Sequence, residues 1–193
     1  LEGEILLKEN KPKNAVELFR EIQKSLPGQK SVFLKLGNSF LQLKKYREAE
    51  KNFTKAIKID EDSASAHQGL CVANLNQRKY EQAVDEALTA ISISFNFPNA
   101  HFRLAEALVA LREYERAVEA LNVCLIMSPN MAMARNLLIN VYEKHLEKPQ
   151  LAAVHKKFFH KHAGTSQKQT NEKSDDTETF QAPNIVPQQK EFD

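Results

Sequence analysis

Histidine and cysteine are the side chains that most readily bind metals or act in catalysis. This 193-residue chain has six histidines and two cysteines. His67 and His101 invite that interpretation because they recur 34 residues apart. They recur together with packing residues, so we interpret them as core or interface histidines. Cys71 and Cys124 lie in apolar helical patterns and not at the close spacing of metal or redox pairs, which indicates reduced core residues.

Three further histidines come near the end of the helical sequence. His155, His160 and His162 are separated by five and two residues, so they do not share one helical face as ligands at i and i+4 would. We therefore predict no metal site. The surrounding HKKFFHKH could lie on an anionic surface, but the same pattern is typical of a helix that packs its aromatic residues inward.

Motifs for enzymatic chemistry are missing from the sequence. The chain has five glycines, no glycine-rich phosphate loop and no Gly-x-Ser-x-Gly elbow. No pair of carboxylates is positioned by anything other than a solvated helix face. We predict no catalytic residue, no cofactor and no enzymatic activity, so function must lie in recognition.

A 34-residue period determines which elements position these side chains. Related stretches begin at residues 33, 67 and 101, and they keep a leucine, a tyrosine and an alanine at matched places: Leu36, Leu70, Leu104; Tyr46, Tyr80, Tyr114; Ala49, Ala83, Ala117. Each copy has two runs of apolar residues at helical spacing with a break between them, which predicts helix, turn, helix. Since one short pair cannot bury both apolar faces, the copies must stack and share a core.

The same frame predicts the organisation of the whole chain: a truncated first repeat at 1–29, repeats at 30–63, 64–97 and 98–131, a divergent closing helix pair at 132–163, and a polar acidic tail at 164–193. Because the chain starts inside a repeat, we expect that it was cut from a longer protein. The tail composition predicts a flexible segment. Its apolar residues Ile185, Val186 and Phe192 leave open that it docks on the repeats or on a neighbour.

Charge and hydropathy exclude several classes of protein. No apolar run approaches the ~18 residues of a membrane span. The net charge is +2, with three lysines and six acidic residues after residue 163, which leaves +5 on the rest. That surplus is too small to indicate nucleic-acid binding. Reduced cysteines favour a reducing compartment, and we expect a cytoplasmic protein.

The repeated series of leucine, small residue, tyrosine, alanine, large apolar residue, alanine and proline resembles the tetratricopeptide repeat over residues 1–163. The resemblance implies an all-α fold: a right-handed α-solenoid of antiparallel helix pairs. It also implies that the first helix of each pair lines a concave groove that binds a peptide or partner protein. The fourth repeat position, often tryptophan in the family, is Phe33, His67 and His101 here.

The implied groove positions form a mostly neutral, polar set: Asn38, Gln42, Gln68, Val72, Asn76, Phe102, Arg103, Glu106, Asn136 and Asn140. Amide side chains donate and accept hydrogen bonds, so they can pair with the backbone of an extended peptide. Phe102 and Arg103 would add an aromatic and a cationic anchor. The alternative is that all of these residues are only solvated helix positions.

Some members of the family hold the terminal carboxylate of chaperones with a set of lysines, asparagines and an arginine. Asn38 and Arg103 match that set, whereas Leu34, Gly69 and Asn99 do not. We therefore expect no specific binding of chaperone tails.

A narrower resemblance concerns SFNFPNAHFRLAEALVALREYERAVEAL and NVYEKHLEKPQLAAVH. They look like the repeat region behind the catalytic domain of some alkaline-phosphatase-superfamily phosphohydrolases. This resemblance implies an accessory region that packs on, or regulates, a catalytic domain upstream of Leu1. The two hypotheses for function are thus an independent binding scaffold and an accessory region of a larger enzyme.

Overall fold

A computed structural model describes residues 2–163 of the chain, with side chains to residue 158. The described residues form ten α-helices and no strand, which confirms the predicted all-α fold. The helices are α1 (Glu2–Lys8), α2 (Pro12–Ser25), α3 (Lys30–Gln42), α4 (Tyr46–Ile59), α5 (Ala64–Asn76), α6 (Tyr80–Ile93), α7 (Pro98–Ala110), α8 (Tyr114–Met127), α9 (Ala132–Lys144) and α10 (Pro149–Ala163).

The helices are arranged as consecutive pairs, and we call the odd-numbered member of each pair its first helix. The chain divides into two compact units, residues 1–156 and 157–193, and the described part of the second is the end of α10. In the first unit, α4 contacts both α3 and α5, and α6 contacts both α5 and α7. First helices also contact one another, α3 with α5, α5 with α7 and α7 with α9. They therefore form one continuous row.

Small residues allow the helices to approach closely. The repeated alanines Ala49, Ala83 and Ala117 have no exposed surface. Phe53 in α4 lies against two glycines, Gly37 and Gly69. A Cβ atom added to Gly37 would be 2.6 Å from the Phe53 ring, and one added to Gly69 would be 2.4 Å from it. Those contacts come from α3 and α5, one before and one after Phe53 in the chain. The ring thus joins two consecutive repeats.

The turn inside each pair has the same backbone geometry. Its left-handed residue recurs every 34 positions as Asn10, Lys44, Arg78 and Arg112, with φ between 56° and 64°. The next amide then bonds back across the turn, as the Lys45 N–H does to the Phe40 carbonyl at 2.9 Å. This is a Schellman ending, which satisfies carbonyls that the helix leaves free. It fixes where each second helix begins.

Helix starts agree in part with the sequence. α7 begins at Pro98, which suits the first turn of a helix because proline lacks only an N–H that this turn does not use. Ser63 precedes α5, but its hydroxyl makes no capping hydrogen bond. The serine is buried, and its carbonyl accepts the His67 N–H at 3.1 Å. Serine is a common N-cap residue, but Ser63 therefore contributes its backbone carbonyl and not its side chain.

No helix in residues 2–163 is both long enough and apolar enough to cross a bilayer. The interpretation of Ile185, Val186 and Phe192 as docking residues lies outside the described residues, as does the predicted flexibility of the tail.

Candidate functional site: the first-helix face

The solvent-facing side chains of α3, α5, α7 and α9 form a surface that we call the first-helix face. Most of the groove positions predicted from the sequence lie on it. Asn38, Gln42, Asn76, Asn136 and Asn140 are exposed, and Gln68, Val72, Arg103 and Glu106 are half-buried. The structure therefore places nine of the ten predicted residues where a partner could touch them.

Amide groups on this face are available for binding. Asn38, Gln42, Gln68, Asn136 and Asn140 make no hydrogen bond to any part of the chain that the structure describes. Asn76 is different, because its Nδ2 donates to the Val72 carbonyl of its own helix at 2.8 Å. Each free amide offers two N–H donors and a carbonyl acceptor.

Sequence reasoning left Asn99 out of this set. Asn99 is exposed and makes no hydrogen bond within residues 2–163. It lies seven residues before Glu106 on α7, two helical turns away on the same side. That spacing could have identified Asn99 from the sequence. With Asn99, six free amides from four helices lie on the first-helix face.

Phe102 is the predicted residue that the structure corrects. It is only 4% exposed, so its ring belongs to the packed interior and cannot serve as an aromatic anchor for a partner. The Arg103 guanidinium covers the ring at 5.1 Å from its centre. Burial of a large apolar ring is favourable in itself, and it removes Phe102 from the candidate site.

Arg103 and Lys35, two cations of the first-helix face, are each paired within the chain. Arg103 Nη1 lies 2.6 Å from Glu106 Oε2, and its Nε is buried without a partner in the described part. Lys35, which the sequence analysis missed, lies 3.2 Å from Glu4 and links α3 to α1. Its hydrogen bond lowers the pKa of the Glu4 carboxyl. The repeat itself gave a signal, because Lys35 stands 68 residues before Arg103.

The repeated histidines have a structural role in the joints between repeats. At the fourth repeat position, a polar side chain lies within hydrogen-bond distance of the carbonyl six residues earlier. We call these side chains the joint residues. The pairs are His67 Nε2 with Glu61 at 3.1 Å, His101 Nε2 with Phe95 at 3.0 Å, and Arg135 Nη2 with Pro129 at 2.6 Å.

Metal-binding geometry is not found among the described residues, where no three His, Cys, Asp or Glu side chains are grouped for an ion. His155, one of the three histidines near the chain's helical end, has its Nδ1 3.1 Å from Arg135 Nη1. Burial and the Arg135 charge lower the pKa of His155. The side chains of His160 and His162 lie outside the described residues.

The two thiols are free and buried. Burial raises the pKa of Cys71 to about 12, so the thiol is protonated at pH 8 and the nucleophilic thiolate is scarce. We expect native Cys71 to react with an aromatic disulfide reagent at pH 8 at least roughly tenfold more slowly than in the urea-unfolded chain.

Mass mapping of the labelled chain would assign the reaction to Cys71 or Cys124. Equal rates for Cys71 in the native and unfolded chain would contradict its burial. They would also reopen a nucleophilic role for this cysteine.

Two segments of the chain match family models for the tetratricopeptide repeat, residues 31–63 and residues 99–130. No curated protein matches the chain in sequence. The repeat resemblance is thus confirmed, whereas the phosphohydrolase resemblance stays a prediction that these comparisons do not support.

Solved structures share the fold at low sequence identity. MamA from Desulfovibrio magneticus RS-1 is 17% identical with a TM-score of 0.74, over 86% of this chain and 93% of that one. YrrB, described as having an unusual peptide-binding site, is 16% identical with a TM-score of 0.62, over 79% and 78%. The first tetratricopeptide-repeat domain of Spaghetti (RPAP3), bound to an HSP90 peptide, is 24% identical with a TM-score of 0.58. The match covers 59% of this chain and 90% of that one.

Proposed function

We propose that this chain, whose repeats are tetratricopeptide repeats, is a scaffold that binds an extended polypeptide segment of a partner protein along its first-helix face. The observation that carries the proposal is the set of six free amide side chains on four helices of that face. Exposed amides such as Asn38 and Asn136 can meet both the N–H and the C=O groups of an extended backbone.

At α3 and α7, electrostatics favour a partner segment without a high net charge. Arg103 and Lys35 are already neutralised by Glu106 and Glu4, so neither is a free cation for an acidic group. Amide contacts to the backbone are largely independent of the partner's side chains, and pockets between helices would then set the sequence preference.

Two of the similar structures support peptide binding by this fold, since YrrB has a peptide-binding site and RPAP3 is bound to an HSP90 peptide. This chain would bind a different class of peptide from the chaperone-binding members. Leu34 and Asn99 stand where the resemblance implies lysines for a terminal carboxylate.

We include the absence of catalysis and of nucleic-acid binding in this proposal, along with a cytoplasmic location. Two free buried thiols support a reducing compartment. The alternative, an accessory region packed on an upstream catalytic domain, has no observation in its favour beyond the resemblance in sequence.

The test starts from a peptide selected on the purified chain from a random displayed library. We expect Asn38→Ala and Asn136→Ala each to weaken its binding by about 1 kcal/mol, the net value of one hydrogen bond. Gln82→Ala, which removes an exposed amide from a second helix, is the matched control and should leave the Kd unchanged. Fluorescence anisotropy gives the three values. Equal Kd values for all variants and the native chain would contradict the proposal.

A further inference from the structure

A cleft of about 480 Å³ opens at the joint between α2 and α3, away from the first-helix face. Its lining consists of Arg20, Gln23, Lys24, Pro27, Gly28 and Phe33. Five of these residues belong to the end of α2 and the loop that follows it, and Phe33 belongs to the first turn of α3.

The repeat shows how this joint differs from the three that follow it. Phe33 occupies the position of the joint residues His67, His101 and Arg135. Those three reach the carbonyl six residues earlier and so bridge their joints. Phenylalanine has no hydrogen-bonding group, so nothing at this position can bridge to the Pro27 carbonyl. The ring instead forms one wall of the open cleft.

The charge at the cleft is positive. Arg20 and Lys24 are exposed and one helical turn apart, and neither forms an ion pair within the described residues. Lys55 adds a third cation, with its Nζ 5.6 Å from the centre of the Phe33 ring. The neighbouring acids Glu17 and Glu21 on α2 also form no ion pair with these cations.

We propose that this cleft is a second binding site, which takes an acidic polypeptide segment of a partner protein. A carboxylate of the segment lies between Arg20 and Lys24, where the guanidinium can make two parallel hydrogen bonds. An adjacent apolar side chain packs on the exposed Pro27, beside the small part of the Phe33 ring, 8% exposed, that lines the cleft. A backbone N–H of the segment reaches the Pro27 carbonyl, and so replaces the bridge that the joint residues supply elsewhere.

The probe is a fluorescein-labelled peptide of two glutamates followed by phenylalanine, titrated onto the full chain. A matched peptide with two glutamines should bind at least about tenfold more weakly, since it lacks the charge that the cations recognise. Binding of the glutamate peptide should weaken as salt is raised, because salt screens exposed charges. Similar affinities for the two peptides, or no saturable binding of either, would overturn the proposal.

Variants locate the site. Arg20→Glu combined with Lys24→Glu should weaken the glutamate peptide at least about tenfold. Lys58→Glu is the control for the change at residue 24, because Lys58 occupies the repeat position of Lys24 at a joint that His67 bridges. It should change the Kd less than about twofold. Equal losses for the double variant and the control would show only general attraction to a basic surface, and would overturn the proposal.

Phe33→His offers an independent test without a change of charge at α2. Histidine occupies this position in two other repeats, so the fold accepts it. We expect its imidazole to bridge to the Pro27 carbonyl, to occupy the acceptor that the segment's N–H would use, and so to reduce peptide binding. Unchanged binding to Phe33→His would overturn the site. Asn38→Ala should not affect this peptide, which separates the cleft from the proposed function of the first-helix face.

Discussion

Replacing Phe53 with alanine should lower the free energy of unfolding by about 3–5 kcal/mol, the usual cost of deleting a buried phenylalanine ring. Phe53 is 1% exposed and lies against the backbones of Gly37 and Gly69. Its ring therefore fills space that no neighbouring side chain occupies. Because repeats are coupled mainly to their neighbours, loss of this contact should also separate the unfolding of α1 to α4 from that of the helices beyond.

Urea unfolding followed by circular dichroism would measure both effects. Phe95→Ala removes a ring that is 66% exposed and is the control, with a small expected change. Gly69→Ala should also destabilise, by about 1–3 kcal/mol, since its Cβ would press on the Phe53 ring. In the double variant, Phe53→Leu should restore part of the stability that Gly69→Ala loses, because leucine leaves more room for the new Cβ. A loss for Phe53→Ala no larger than for Phe95→Ala would contradict the packing described here.

Ala83→Arg should destabilise the chain by more than the roughly 1–3 kcal/mol typical of overpacking. Ala83 has no exposed surface in α6, so the longer side chain has no space. Its charge would in addition be removed from water without a partner, which is a separate cost.

The control for this variant is the adjacent Gln82→Arg. Gln82 is exposed and so suits a surface control. Gln77, another glutamine near α6, would be a poorer choice because it donates a hydrogen bond to Glu50 at 2.7 Å, and its replacement would also remove that contact. Thermal melting of the two variants gives the comparison. Similar melting temperatures would mean that α6 is rotated relative to the helix register found here.

The repeat made the fold predictable from the sequence. Residues that return every 34 positions, such as Leu36 and Ala49, are those that pack, and both are buried. The resemblance to the tetratricopeptide repeat then implied which side of a first helix remains in solvent. For this reason the exposed amides Asn38, Gln42 and Asn140 could be identified without coordinates.

Details that depend on contacts between particular side chains could not be predicted in this way. Phe102 occupies a groove position in the repeat, yet its ring is buried and covered by Arg103. The partner of Lys35, Glu4, lies on another helix, and helical spacing within α3 says nothing about it. The periodicity of His67 and His101 predicted that they lie at a packing position of the repeat. It did not predict which carbonyls they reach.

A backbone scan of the selected peptide would show whether the first-helix face recognises the backbone of an extended segment. Each peptide amide is methylated in turn, which removes one N–H donor and leaves the side chains in place. We expect methylation at every second residue of the peptide to weaken its binding to the native chain by about 1 kcal/mol or more. The same methylations should cost less in a variant whose Asn38 and Asn136 are both alanine. If every methylated peptide bound as tightly as the parent, backbone recognition by the amides would be contradicted.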